Sequence, residues 1–445
     1  MHEPAPQWMT VADPIHGVIR FKRHDANHRL LLDVMNSRAF QRLRRIRQMG
    51  MAEFVFPGAT HSRFVHSIGA AWLMTKAIQY FQELPETRAL MQSTYKNTGF
   101  SFETILLLSI LVHDIGHAPL SHTLEDILDL KSQGLIHDTY WNRLILTQDP
   151  QLQGIWEKHG KGLPEAVLDF SSGGHFLSDL VSSQLDMDRL DYLQRDSHYL
   201  GVQYGRVEVE RILTNLCIGE TPEGKQAVAI REEALPAVEH YLFGRYQAYK
   251  MALHALDKAS EMLLKKTLER FAWCRDTGID PGHPAELLYK LMRNGRALTV
   301  DEYLMLDDCY LWDKISQWSH ASEDTLLREL ANRLLGHDLF KYVEIADGAA
   351  DKDVLEALET HYRQRGLSFE FGFEQILLQP KPLYQGAPVK PPIWVRSGHT
   401  VLKDFKDVSS LPLQAESQQG CRHLLFVWDK ESQRFLKTLL DKHLS

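Results

Sequence analysis

Residues 111–122 read LVHDIGHAPLSH. The run leading into them, Thr104 to Val112, is almost wholly aliphatic and must be buried, and its end carries His113, Asp114, His117 and His122. Polar groups at the edge of a core are costly unless they are paired or bound to a metal. His-Asp occurs four times in the chain, at His24, His113, His137 and His337. Context sets His113 apart: a helix before it, a Gly116 turn after it, and Pro119 and Ser121 tightening the exit. A helix end followed by a tight turn aims several side chains at one point. His24 and His337 lie in polar or mixed stretches and read as surface pairs.

A metal needs ligands from elsewhere in the chain as well. The first candidate is His66, in ATHSRFVHSIG, where an amphipathic helix carrying Ile68, Ala71, Trp72, Thr75, Ile78 and Gln79 begins. The second is the carboxylate cluster Asp186, Asp188, Asp191 and Asp196 in LDMDRLDYLQRD. On a helix Asp188, Asp191 and Tyr192 share a face, while Leu185, Leu190 and Leu193 turn to the core. Imidazoles with carboxylates suit Mg, Mn, Fe, Zn or Co.

The order H…HD…D, with HDIGHAPLSH in the middle and DMDRLDYLQRD last, resembles the HD-domain phosphohydrolases, and within them the bacterial-type deoxynucleoside triphosphate triphosphohydrolases. DPIHGVI at 13–19, FQRLRRIRQMG at 40–50, FPGATHSRFVHSIG at 56–69 and RYQAYK at 245–250 extend the likeness, which is dense over residues 10–265 and thin after that. The expected fold is mainly α: a helical HD-domain core with a short N-terminal β-hairpin and an α+β C-terminal subdomain.

Pattern places the hairpin at 10–22, turning at Pro14 and Gly17, and helical periodicity from about 28 to 270. The clearest helices are 28–49, 66–82, 104–113, 176–198 and the long stretch from Ala234 to Trp273. Further helices are expected at 284–294, 299–306, 323–335 and 351–363, with Thr299 and Glu302 as a capping box. Strands are expected in FKYVEIAD (340–347), SFEFGF (368–373), PPIWVR (391–396) and CRHLLFVWD (421–429), a loop at 379–392, and a closing helix at 430–443. The expected division is 1–50 for hairpin and basic helix, 51–275 for the HD core, and 276–445 for the C-terminal region, whose α+β texture begins near 275–340.

The chain's 445 residues suffice for two or three sizeable cores. With 44% hydrophobic and 24% charged residues and no low-complexity tract, the composition is that of a globular protein. The longest aliphatic run is about half a bilayer span, and MHEPAPQWMT resembles no signal or transit peptide; a cytoplasmic protein with no membrane role is expected. Cys217, Cys274, Cys309 and Cys421 have no metal-like spacing and read as reduced and structural. A net charge of −8 argues against a general nucleic-acid binder. Yet Arg38, Arg42, Arg44, Arg45 and Arg47 fall within ten residues. If helical, Arg38, Arg42 and Arg45 line one face, either solvated or serving as a phosphate-binding edge.

His66, His113, Asp114 and Asp188 make one divalent-metal site, and the resemblance assigns the same four. The acid–base candidates are His117, His122 and His137, since imidazole exchanges protons near neutral pH, and Asp138 is expected to hold the His137 tautomer. The resemblance places substrate contacts on Gln48, Arg63, Arg189, Tyr192, Asp196, Arg245 and Tyr249. The arginines would clamp a triphosphate, Gln48 and Asp196 meet sugar hydroxyls, and Tyr192 cover the sugar. It further implies hydrolysis of a nucleoside triphosphate to nucleoside and inorganic triphosphate, a homo-oligomer (a tetramer in relatives), and a possible nucleotide activator.

Departures from that pattern bear on selectivity. Asp138 stands where relatives have Glu, and Arg189 where they often have Lys. Leu253 replaces an aromatic residue that packs where a 2′-hydroxyl would sit, which weakens selection of deoxyribose. Ala255 and Leu256 replace an effector-binding His-Lys, and Asn36 an Asp that reads guanine, so classical GTP or dGTP activation is not expected. Two rivals stand beside this reading. One is another HD phosphohydrolase, a nucleotidase or a phosphodiesterase, although the chain has no GYP signature and reads HDIGHAP rather than HDIGK. The other is a non-catalytic nucleotide sensor.

Overall fold

The computed structural model describes residues 7–252, 254–345, 350–379, 382–386, 391–398, 401–411 and 422–443. Leu253 and Cys421 lie outside the described residues; of the other cysteines, Cys217 and Cys274 are buried and free, and Cys309 is exposed and free.

The chain opens with the antiparallel pair β1 (Trp8–Asp13) and β2 (Gly17–Lys22), in register from Trp8 opposite Lys22 to Asp13 opposite Gly17. Asp13 closes the turn by accepting the amides of Ile15 and His16, each at 2.9 Å. From there to Thr277 the chain is mostly helical, with one further hairpin inserted after the helix Val209–Thr214. At the centre is the HD helix, Phe102–Val112, capped by Ser101 through the Thr104 amide and buried at nearly every position. It packs on the helix Arg63–Glu83, which packs in turn on the aspartate helix Met187–Leu200. Small residues permit that second approach: a Cβ on Gly69 would lie 2.1 Å from Asp191 Oδ1.

Several expected helices are interrupted where a polar side chain satisfies a free helix end. The stretch 28–49 breaks at Ser37, whose hydroxyl caps Arg38–Arg42 after Ala26–Met35 has ended. The stretch 234–273 divides into Leu235–Ala252 and Ala255–Thr277, with His254 capping the second. The stretch 176–198 becomes a 3₁₀ turn, Phe176–Leu180, and then the aspartate helix, which Asp186 caps through the Arg189 amide at 2.7 Å.

A hairpin that the helical reading passed over, β3 (Leu216–Glu220) with β4 (Gln226–Arg231), receives β7 (Trp394–Arg396) in parallel, and β8 (Lys403–Asp404) completes the sheet. The other C-terminal sheet runs β5 (Lys341–Ile345), β9 (Arg422–Val427), β6 (Phe373–Leu378), all antiparallel, with Lys430–His443 as the closing helix. The strand expected at 368–373 is instead one helical turn, Phe369–Gly372, capped by Ser368; β6 follows it. Helix Asp308–Ala321, capped by Asp307, was not foreseen, whereas the capping box of Thr299 with Glu302 is present. The architecture is mainly α with small sheets, and one hydrophobic cluster runs from Ile19 to Leu436. Among the described residues no helix is long and apolar enough to cross a membrane.

Three of the clustered arginines are tied to a segment far along the chain. Arg42 is buried and donates to the Leu306 carbonyl at 2.8 and 2.5 Å, Arg38 pairs with Asp301 at 2.8 Å, and Arg45 pairs with Asp307 at 2.5 Å. These cations fasten the basic segment to residues 301–307.

Candidate active site

His113 sits at the C-terminus of the HD helix and donates through Nδ1 to the Ile110 carbonyl at 2.7 Å. His66, in the first turn of its helix, uses Nδ1 on Asp191 Oδ2 at 2.8 Å. With both Nδ1 atoms committed as donors, the neutral rings present Nε2 lone pairs to a common point. Those two atoms lie 3.3 Å apart. Asp188 Oδ1 stands 3.0 Å from His66 Nε2 and 3.5 Å from His113 Nε2. Asp114 completes the set, with Oδ2 3.6 Å from His66 and Oδ1 3.4 Å from His113. His66, His113 and Asp114 offer ligand atoms within 4.8 Å of one another, and Asp188 faces both imidazoles, a donor set whose chemistry suits a divalent ion. The residues present could therefore hold such an ion.

Without an ion, protons balance the charge. Burial works against a charged His66, but hydrogen bonds to Asp188 and Asp191 outweigh it and push its pKa up to about 10. His113 is raised despite burial, by Asp114 and Asp188. Burial opposes ionisation of Asp114 and Asp188 too, yet Arg63 and His113 hold Asp114 low, and His113 and His66 hold Asp188 low.

Behind the quartet is a layer that the carboxylate pattern only partly disclosed. Asp191, fully buried, accepts from His66, from His16 Nε2 at 2.6 Å, and from Arg195 Nε and Nη2 at 2.8 and 2.9 Å. Arg195 continues to Asp13 at 2.8 Å. The N-terminal hairpin thus braces His66, which gives the Asp13–Ile19 motif a physical role. Asn142 is a second such group: its Oδ1 accepts the Gly116 amide at 2.7 Å and its Nδ2 donates to the His113 carbonyl at 2.5 Å. A Cβ on Gly116 would lie 2.6 Å from the Asn142 amide, so the turn after the HD pair needs glycine there.

The three remaining histidines cluster beside the quartet. His117 is buried, with Nε2 3.1 Å from Asp114 Oδ1, and stacks on His137 at 3.5 Å. Burial and the nearby Arg63 and His137 keep it neutral. His122 is largely exposed, with its Nδ1 3.0 Å from Glu125 Oε2. His137 does not depend on Asp138 as expected; its Nδ1 and its amide each lie 3.0 Å from Glu125 Oε1. Glu125 was missed, although its place three residues after His122 on one helix face is a readable signal. Its carboxyl is buried, which opposes ionisation, but contacts with His122 and His137 hold it far below the usual range.

A cavity of about 870 Å³ adjoins these groups. Its wall includes Gln48, Arg63, Arg189, Tyr192, Asp196 and Tyr249, together with His117, His122, His137 and Asp138. Arg63 is held by Asp114 at 2.5 Å and by Ser121 Oγ at 2.6 Å. Arg189 donates to the Ser183 carbonyl at 2.7 Å and to the Tyr192 hydroxyl at 3.2 Å. Asp196 pairs with His61 at 2.7 Å, and Tyr249 donates to the Gln379 carbonyl at 2.9 Å. Arg245 is the expected contact that does not reach this wall: it donates to the carbonyls of Gln184 at 3.0 Å and Leu383 at 3.2 Å. Met49, Phe56 and Leu200 add an apolar face.

No family model matches the chain. The uncharacterized protein YwfO of Bacillus subtilis is 32% identical over 337 residues, 75% of this chain and 71% of that one. A deoxynucleoside triphosphate triphosphohydrolase, SAMHD1 of Gallus gallus, is 33% identical over 223 residues, 43% of this chain and only 34% of its own length. Among solved structures, a phosphohydrolase of Bacteroides thetaiotaomicron superposes with a TM-score of 0.76 at 26% identity, covering 94% of this chain and 99% of that one. Together with the ordered H…HD…D residues converging in space, these likenesses assign the chain to the HD-domain, dNTPase-like phosphohydrolase family.

Proposed function

We propose that the protein hydrolyses deoxynucleoside triphosphates, releasing the deoxynucleoside and inorganic triphosphate. The observation that carries this reading is that the His66 and His113 imidazoles lie 3.0–3.6 Å from each other and from the Asp114 and Asp188 carboxylates, with His113, Asp114 and Asp188 on the wall of a cavity large enough for a nucleotide. A divalent ion held there supplies a Lewis acid and lowers the pKa of bound water.

The chain's own residues do the rest. Arg63 and Arg189 supply guanidinium donors to phosphate oxygens, the geometry at which arginine forks excel. Arg245 joins them by exchanging the Gln184 and Leu383 carbonyls for a phosphate. Tyr192, Gln48 and Asp196 seat the sugar, Asp196 being held in place by His61. With Nδ1 facing Glu125, His122 and His137 each direct Nε2 elsewhere, and one of them donates a proton to the departing 5′-oxygen. His117, buried and neutral, packs His137 into position. The active form is a homo-oligomer, a tetramer by analogy with relatives, and any activator binds by contacts other than the His-Lys pair that Ala255 and Leu256 replace.

The test is product identity. Purified protein is incubated with each dNTP and NTP in the presence of Mg, Mn or Co, and products are resolved by ion exchange. Triphosphate with free deoxynucleoside supports the proposal; orthophosphate refutes it in favour of a nucleotidase. His113→Ala or Asp114→Ala abolishes turnover, and His337→Ala leaves it in place.

A further inference from the structure

We propose that Asp308, in the C-terminal third of the chain, is a positioning residue that clamps the loop bearing Gln48 to the turn after the HD pair, whose Ser121 holds the substrate-binding Arg63. Asp308 opens the helix Asp308–Ala321 and is buried, 6% exposed. One carboxylate oxygen accepts the Leu120 amide at 2.7 Å and the other accepts the Arg47 amide at 2.8 Å. Leu120 belongs to the turn after the HD pair, and Arg47 to the loop that ends in Gln48.

What the clamp holds is strained. Leu120 and Ser121 both have positive φ, 55° and 57°, without being glycine. Such backbone persists only where its surroundings fix it. Ser121 then passes the constraint on: its hydroxyl donates to the Arg47 carbonyl at 2.5 Å and accepts from Arg63 Nε at 2.6 Å. Arg63 in turn donates to the Asp114 carboxylate at 2.5 Å. A continuous hydrogen-bonded path therefore leads from Asp308 to the metal-binding quartet. The same segment touches the site once more, where the Tyr303 hydroxyl donates to the Gly116 carbonyl at 2.7 Å while its ring stacks on Trp141.

Only a carboxylate meets this demand. Two amide donors face it from two loops, and an asparagine would turn its own NH₂ group on one of them. The kinetic part of the argument rests on the triphosphohydrolase reading; the structural part does not.

The experiment compares wild type and Asp308→Asn, full length and metal-loaded. Expected for the variant are at least tenfold faster hydrogen exchange at the Leu120 and Arg47 amides, unchanged metal content, and a KM for dNTP raised about tenfold with a smaller change in kcat. Wild-type exchange at both amides overturns the clamp. Accelerated exchange with wild-type KM and kcat overturns its positioning role. Should Asp308→Asn not fold, Ser121→Ala, which removes the hydroxyl linking Arg47 to Arg63, is expected to raise KM in the same direction; wild-type kinetics there overturn the positioning role. If wild-type protein turns over no dNTP, the proposed function has failed, and the exchange measurement still decides whether the clamp exists.

Discussion

Replacing Glu125 by Gln tests how the histidine cluster is made reactive. The two carboxylate oxygens of the buried Glu125 serve the His137 amide, His137 Nδ1 and His122 Nδ1, each at 3.0 Å. Glutamine keeps one acceptor oxygen and aims an NH₂ group at donors on the other side. At least one charge-assisted hydrogen bond is lost, worth about 1.5–3 kcal/mol. If that bond strengthens as the imidazole ring gains charge, the loss appears in the transition state as about a 10- to 150-fold fall in kcat. The assay is steady-state triphosphate release at saturating dNTP, with metal content measured on the same sample. The variant keeps its metal, because Glu125 is not among the four converging donors. A metal-replete Glu125→Gln with kcat within twofold of wild type refutes the assignment. Acid stability offers a second reading of the same group: its folded pKa lies below the ordinary 4.5. Its contribution is therefore present above that pH and fades as pH falls below it, and Glu125→Gln removes that acid-sensitive component.

Asp191→Asn weakens the brace on His66 and lowers metal affinity about 10- to 100-fold, as loss of a ligand's outer hydrogen bond does; isothermal titration of the metal-free protein checks this. Gly69→Ala places a methyl group 2.1 Å from Asp191 Oδ1. Such overpacking costs about 1–3 kcal/mol or more, which chemical denaturation reads as a lowered midpoint, with weaker metal binding. In the metal-free protein His66 has its pKa raised to about 10. Its contribution to stability is complete below its unfolded value of about 6.5 and is lost as pH rises through 10. Metal must displace that proton, so affinity rises with pH by about tenfold per unit across this window. A pH-independent affinity between 7 and 9 would contradict the site's protonation.

Much of the fold was legible because apolar periodicity and polar caps agree. The HD helix is aliphatic from end to end, and its exit turn needs Gly116, so both the element and its stop were readable. Ser37 and His254 show the limit: a single cap divides a periodic run, and period alone does not reveal the break. The hairpin of Leu216–Glu220 and Gln226–Arg231 was missed because its strands are short and are stabilised by a distant partner, Trp394–Arg396. In the site, residues that point at a shared centre were readable from chemistry. Residues that act through others were not, because Asp13, His16, Asn142 and Asp308 reveal their roles only by whom they touch. The anchoring role of the arginine-rich stretch was hidden for the same reason: its partners lie some 260 residues away.

The most direct test of the account is an anomalous-difference map from crystals loaded with Mn or Co. It predicts one peak per chain, about 2.0–2.3 Å from His66 Nε2, His113 Nε2 and one oxygen each of Asp114 and Asp188. A peak bound by other residues, or none at full metal loading, would contradict it.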